Sequence, residues 1–412
     1  MTKARTVVID HGRERSLRRV PAAVRPLRRS RGGVADSPLK EIEDFGPNPG
    51  ALRLLAHAPR NLPASAPLVV VLHGCSQDAA GYDAASGWSR LADELGFSVI
   101  YPEQRAGNNP AGCFNWFLPA DASRGLGESR SICEMIDFVS KTHGADPQRI
   151  FVTGLSAGGA MASALLADYP EVFAAGAVIA GLPCGAATSV KEALRVMTRP
   201  DQRSAADLGD LVRARSPHEG PWPRVLVIQG DRDDTVAPSN ADELVKQWLD
   251  VHGANPQDVA ETALGAARRR VWSEDGRAVV EEILIPGMGH GAPIDGDSGE
   301  RAAPFMLDVG LSSTRLVAAF FGFEGAMAAQ ERPTEAPQVE TQAAPDAPAQ
   351  TATPPLRPGA PRQRQRQPQR PSRSGSWSGS WAERHAWTLR ELDRFGVGAA
   401  FRNGLKALGL MR

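Results

Sequence analysis

The chain has 412 residues, more than one compact domain usually needs. Lys and Arg together number 47, as do Asp and Glu, so the formal net charge is +0 and no global field points to nucleic acid or an anionic membrane as partner. Hydrophobic residues make up 42 %, ordinary for a soluble enzyme, and no run of about 18 apolar residues occurs, which excludes a transmembrane helix.

Residues 1–45 are rich in arginine and read as a basic, disordered tail. Arg18-Arg19 and Arg28-Arg29 resemble the start of an export signal, but Val20-Pro21-Ala22-Ala23-Val24 is too short for an apolar core and Arg25 ends it. The expectation is therefore no secretion signal and a cytoplasmic protein.

From 46 to 325 short apolar runs alternate with helical patterns. Pro67-Leu68-Val69-Val70-Val71-Leu72 is a short, continuously apolar run, as a strand buried on both faces would be. Similar runs cover 97–101, 149–153, 175–180, 224–229 and 279–285, and helical patterns cover 88–95, 131–141, 160–168 and 240–251. This alternation predicts an α/β fold, a doubly wound and mostly parallel sheet with its chemistry in the loops after the strands.

One such loop is Gly154-Leu155-Ser156-Ala157-Gly158-Gly159, between the run at 149–153 and the helical pattern at 160–168. A sharp strand-to-helix turn of this kind presents a serine hydroxyl in a strained conformation, with small neighbours that avoid clashes. Gly-x-Ser-x-Gly alone is a weak signal; the strand before it and the helix after it make Ser156 the candidate nucleophile.

A serine needs a base, and the chain has eight histidines, at 11, 57, 73, 143, 218, 252, 290 and 385. In this fold the base follows the acid, late in the chain, leaving His252, His290 and His385. His252 looks like a helix C-terminal residue before Gly253, and His385 lies beyond a Pro/Gln-rich stretch. His290 sits in the glycine-rich loop Gly287-Met288-Gly289-His290-Gly291 directly after a strand, and is the candidate base. The acid should lie between the two. Asp231, Asp233 and Asp234 compete in the loop after 224–229; Asp233 fits the Gly-x-x-Asp-x-x-Val spacing from Gly230 to Val236, and Asp234 is its main rival. Turn formation is the plain alternative for each.

For the oxyanion hole, one donor should be the backbone N–H of Ala157. The second should come from the loop His73-Gly74-Cys75-Ser76, with the amide at Cys75 preferred and Ser76 the alternative. His73 itself reads as a buried support for that loop. Such chemistry calls for no cofactor, and the four cysteines show no metal-ligand spacing.

Several segments then carry a family resemblance: PLVVVLHGCSQ (67–77), SGWSRLADELGF (86–97), YPEQ (101–104), CFNWF (113–117), GLSAGGAM (154–161), YPEVFAAGAVIAGLPCG (169–185) and GMGHGAP (287–293). In this order they resemble the poly(3-hydroxybutyrate) depolymerase family of α/β-hydrolase esterases, related to feruloyl and acetylxylan esterases. The resemblance covers most of 45–325 and implies that Ser156, Asp233 and His290 form a triad, with the HGC loop supplying the oxyanion hole. It also implies a Cys75–Cys113 disulfide, which a reducing cytoplasm would disfavour. Cys133 and Cys184 read as small buried hydrophobes. Trp116, just past Cys113, is a candidate wall for the acyl chain, with core packing as the alternative. Members often carry a secretion signal or a separate substrate-binding domain, so the resemblance leaves an extracellular protein as the alternative to a cytoplasmic one. Neither signal nor domain is apparent here, which favours soluble oligomers, small esters or intracellular polymer over external crystalline polymer.

Residues 326–375 are a Pro/Gln/Arg-rich stretch unable to bury a core, and 376–412 recover Trp377, Trp381, Trp387, Leu389, Leu392 and Phe395. A Trp-rich amphipathic helix is expected there, docking on the hydrolase domain or attaching it to a polymer granule or membrane interface. The expected function is a serine esterase acting on short hydroxyacyl esters of the polyhydroxyalkanoate type. The alternatives are a feruloyl- or acetyl-ester carbohydrate esterase, and a granule-associated interaction protein acting through its tails.

Overall fold

The computed structural model describes residues 37–200 and 202–327. The expected amphipathic helix at 376–412 lies outside these residues, as does the Pro/Gln-rich stretch beyond Met327.

Among the described residues ten strands form one sheet: β1 (Lys40–Ile42), β2 (Arg53–His57), β3 (Leu68–Leu72), β4 (Ser98–Glu103), β5 (Ile150–Leu155), β6 (Ala175–Ile179), β7 (Arg224–Gly230), β8 (Val259–Leu264), β9 (Ala267–Glu274) and β10 (Arg277–Ile285). Their order is β1-β2-β4-β3-β5-β6-β7-β10-β9-β8. The block from β4 through β10 is parallel; at one edge β2 pairs antiparallel with β4 and β1 with β2, and at the other β9 pairs antiparallel with β10 and β8 with β9. The boundary expected at residue 45 is corrected here: residues 40–42 pair with 54–56 and belong to the sheet, because backbone pairing needs no apolar side chains.

Among the described residues eight α-helices accompany the sheet: α1 (Ala79–Ser86), α2 (Trp88–Leu95), α3 (Gly127–His143), α4 (Ala157–Asp168), α5 (Val190–Thr198), α6 (Ala205–Arg213), α7 (Ser239–His252) and α8 (Ser313–Phe320). A two-stranded parallel sheet, β11 (Ala292–Ile294) with β12 (Met306–Asp308), follows the loop of His290.

The continuously apolar strands have a direct cause. Leu68, Val70 and Leu72 enter a core shared with Ile132, Leu165 and Trp248 of α3, α4 and α7. Val69 and Val71 enter a second core with Tyr82, Leu91 and Val317 of α1, α2 and α8. With both faces covered, neither strand register can be polar. Edge strands are different: β8 is exposed along nearly its whole length and carries no apolar pattern.

Parallel pairing also places the candidate loops at one end of the sheet. Leu72 lies beside Gly154, Leu155 beside Ile179, and Gly230 beside Ile285. The segments that follow β3, β5, β7 and β10 therefore emerge side by side. Among the described residues no helix is long and apolar enough to cross a membrane.

Candidate active site

Ser156 stands between β5 and α4 at φ 58° and ψ −116°, a left-handed backbone that a non-glycine residue adopts only when its surroundings force it. The force comes from both sides. Its N–H donates to Ile179 O on β6 at 2.9 Å, and its carbonyl accepts from Ala160 N at 2.9 Å to start the helix. A Cβ on Gly154 would overlap the Gly158 carbonyl, and one on Gly158 would overlap the Leu72 carbonyl. The glycines of the motif are thus required by the closeness of strand, turn and helix.

His290 Nε2 lies 2.9 Å from Ser156 Oγ, and His290 Nδ1 lies 2.7 Å from Asp233 Oδ2. The side chains of His290 and Asp233 are 5 % and 0 % exposed, so water does not compete for this bond. Asp233 Oδ1 accepts the backbone N–H groups of Thr235 and Val236, at 2.9 and 2.8 Å. Its Oδ2 accepts a third donor besides His290, the Gln229 side-chain amide at 3.0 Å. Four donors thus meet on one buried carboxylate and hold it in the orientation that an imidazole partner requires. Asp234 is exposed, and Asp231 turns to the Gly287 amide.

On the oxyanion side, the amides of Ala157 and Cys75 are bound by no backbone carbonyl among the described residues. Ser76, the alternative donor, is corrected: its N–H already donates to Ala111 O at 2.9 Å, and its φ of 65° carries the chain away. Cys75 is joined to Cys113 by a disulfide, so the bond disfavoured for a reducing cytoplasm is present. Cys133 and Cys184 are free; Cys184 is buried and Cys133 partly so, and burial pushes their thiols up to about 11 and about 12 respectively.

His73 is 1 % exposed and plays the supporting part expected of it. Its Nε2 faces the backbone N–H of Gln104 at 3.1 Å and must accept, so the ring proton sits on Nδ1 and donates to Gly74 O at 2.8 Å. Burial lowers its tendency to protonate, which keeps this tautomer neutral. Because Gly74 O and the Cys75 N–H belong to one planar peptide, holding the carbonyl also aims the amide.

Behind His73 lies a network that the sequence reading missed. Glu128, fully buried near the start of α3, accepts from Asn115 N at 2.8 Å, Asn115 Nδ2 at 2.9 Å and Gln104 Nε2 at 2.5 Å. Burial pushes its carboxyl up to about 8, against the pull of these donors. The network fixes the loop that carries Cys113 and Trp116. Trp116 is partly buried and packs with Phe117 against a small cluster that includes Ala160, Leu182 and Val236. Ala160 is one turn into the helix that Ser156 opens, so this apolar patch borders the site. The only trace of Glu128 in the sequence was a lone acid at a helix start, which usually means a solvated first turn.

Residues 54–272 match the family described as Esterase PHB depolymerase. Poly(3-hydroxyalkanoate) depolymerase C of Paucimonas lemoignei is 44 % identical over 293 residues, 70 % of this chain and 70 % of that protein. Acetylxylan esterase A of Emericella nidulans is 30 % identical over 272 residues, 63 % of this chain and 86 % of that one. Among solved structures, the acetyl xylan esterase from Aspergillus awamori superposes with a TM-score of 0.59 at 28 % identity, covering 69 % of this chain and 99 % of its own. The chain belongs to the PHB depolymerase family of esterases, on an α/β-hydrolase fold.

Proposed function

We propose that this protein is a serine esterase that cleaves short hydroxyalkanoate esters through an acyl-enzyme. The observation that carries the reading is the unbroken chain Ser156 Oγ, His290 and Asp233, at 2.9 and 2.7 Å. Ser156 Oγ attacks the ester carbonyl while His290 Nε2 takes its proton, and Asp233 stabilises the imidazolium. The carbonyl oxygen, now negative, accepts from the Cys75 amide in the loop after β3 and from the Ala157 amide at the start of α4. Collapse expels the alcohol, which takes the proton from His290. Water, deprotonated by the same ring, then releases the acid and regenerates Ser156.

The hydroxyalkanoate substrate is supported by the 44 % identity to a poly(3-hydroxyalkanoate) depolymerase. The second reading, acetyl esters of carbohydrate, is favoured by relatives named acetylxylan esterase, which align over 86 % of their length. In either case the Trp116 side of the site would receive the acyl chain. The Cys75–Cys113 disulfide supports placement in an oxidising compartment over the cytoplasmic one. Attachment of the enzyme to polymer granules through 376–412 is a further part of the proposal, resting on the spacing of Trp and Leu in that segment.

Hydrolysis of p-nitrophenyl butyrate, hydroxybutyrate oligomers, methyl ferulate and acetylated xylan by wild type and Ser156→Ala tests this. We expect the highest kcat/KM on the oligomers and a loss of at least about a thousandfold in the variant. Equal rates for the two proteins would end the esterase reading, and preference for xylan would move it to the second. Granule co-sedimentation with and without residues 330–412 tests the attachment, which unchanged partitioning would exclude.

A further inference from the structure

We propose that Gln229 is a positioning residue for the proton relay: its side-chain amide shares the Asp233 oxygen that faces His290, and so limits the charge Asp233 offers to the imidazolium. The inference rests on the triad proposed above and adds a part that sets the pH range in which it works.

Gln229 is the penultimate residue of β7, held in register beside Leu284 of β10. It is 1 % exposed, within a strand that is otherwise apolar from Val225 to Ile228. A buried amide in such a run is costly unless it is bonded, and its partners are specific. Nε2 lies 3.0 Å from Asp233 Oδ2, 3.3 Å from Gly230 O and 3.4 Å from Val236 O. All three neighbours are acceptors, so the NH2 group must face them; the flipped amide would set its oxygen against two carbonyls and a carboxylate.

Asp233 Oδ2 therefore divides its lone pairs between Gln229 and His290 Nδ1. The Thr235 and Val236 amides occupy the other oxygen and already fix the carboxylate's orientation. A third N–H is more than orientation requires. What it adds is electrostatic: a positive dipole end on the same oxygen, in a site closed to water, drains charge that would otherwise stabilise the imidazolium. The other charged groups of the acid loop are placed elsewhere. Asp231 bonds to the Gly287 amide, Arg232 is exposed 3.9 Å from Asp231, and Asp234 is exposed. On the facing segments His290 is the titratable group, with the Phe305 ring 6.0 Å from its own.

The test compares the pH dependence of kcat/KM for the full chain and for Gln229→Met, which keeps the length and removes the donor, with p-nitrophenyl butyrate as probe. We expect the acid limb to move to higher pH by roughly half a unit or more, with KM held within about twofold. A residue that merely fills space would lower kcat without moving the limb, so a superimposable acid limb overturns the proposal. Should Gln229→Met give no cooperative melt, Gln229→Leu serves instead: it likewise removes the donor and should move the limb the same way. An unmoved limb there overturns the proposal equally. Ser156→Ala in the same series separates the two readings. If it is inactive and the limb stays put, the role of Gln229 fails alone; if it keeps the wild-type rate, the triad fails as well.

Discussion

The Gly287 N–H donates to Asp231 Oδ1 at 2.7 Å, fastening the loop that carries His290 to the loop that carries Asp233. Two backbone bonds reinforce the seam, Asp231 N to Ile285 O at 3.1 Å and Arg232 N to Met288 O at 3.0 Å. Asp231→Ala should therefore loosen the seam without opening it. We expect kcat on p-nitrophenyl butyrate to fall about tenfold with KM little changed, since small displacements of a general base are felt in the chemical step. Asp231→Asn keeps an acceptor oxygen and should retain most activity. Equal losses in both variants would show that the carboxylate charge, and not the bond, matters.

The Cys75–Cys113 disulfide ties the loop of one proposed oxyanion donor to the loop of Trp116, across a separation of 38 residues. Opening it frees the Cys75 amide to wander, so Cys113→Ala should lower kcat by about tenfold, more than it raises KM. Closing a loop of that length stabilises the fold by about 4 kcal/mol in the chain-entropy account, so Tm should fall as well. Dithiothreitol should reproduce both effects in the wild type and change nothing in the variant. A wild-type enzyme whose kcat is indifferent to reduction would detach the disulfide from the oxyanion loop.

Ser156 and His290 were legible in the sequence because each follows a strand apolar enough to be recognised, so chain order and loop position located them. Asp233 was harder. Three aspartates crowd that loop, and which one faces the imidazole depends on a turn whose amides at Thr235 and Val236 capture one carboxylate, a tertiary detail that spacing only suggests. Gln229 and Glu128 stayed hidden for a related reason: a polar residue in a buried strand or helix start announces no partner until the fold supplies one. β8 and β9 were missed because β8 lies in solvent and β9 carries Arg268, Arg269 and Arg270, so neither has the apolar run by which the inner strands declare themselves.

His73 holds the Gly74 carbonyl and thereby the direction of the Cys75 amide. His73→Leu removes that hold and leaves the Gln104 N–H without its acceptor in a buried place. We expect kcat to drop by roughly ten- to a hundredfold, as when an oxyanion donor is weakened, together with some loss of stability. His73→Asn can keep a donor toward Gly74 O and should recover part of kcat. Leu and Asn variants of equal kcat would mean that the peptide is oriented by the disulfide alone.

His252 supplies a test in the folding equilibrium, away from catalysis. It closes α7 with its Nε2 3.1 Å from Pro223 O, and burial lowers its pKa from 6.5 to about 4. Above about 6.5 the ring is neutral in both folded and unfolded chains, and its donor bond to the carbonyl is intact. As pH falls from 6.5 toward 4 the unfolded chain takes up a proton that the folded one refuses, so stability is lost through that window. The gap amounts to about 3 kcal/mol between neutral and acid pH. Buried carboxyls such as Glu300, pushed up to about 7, change in the opposite sense, so the wild-type curve alone mixes several groups. His252→Gln keeps a donor and cannot titrate. Urea unfolding at pH 7 and pH 4 should therefore show a drop about 3 kcal/mol smaller in the variant than in the wild type, and equal drops would mean that His252 takes up its proton without leaving the fold.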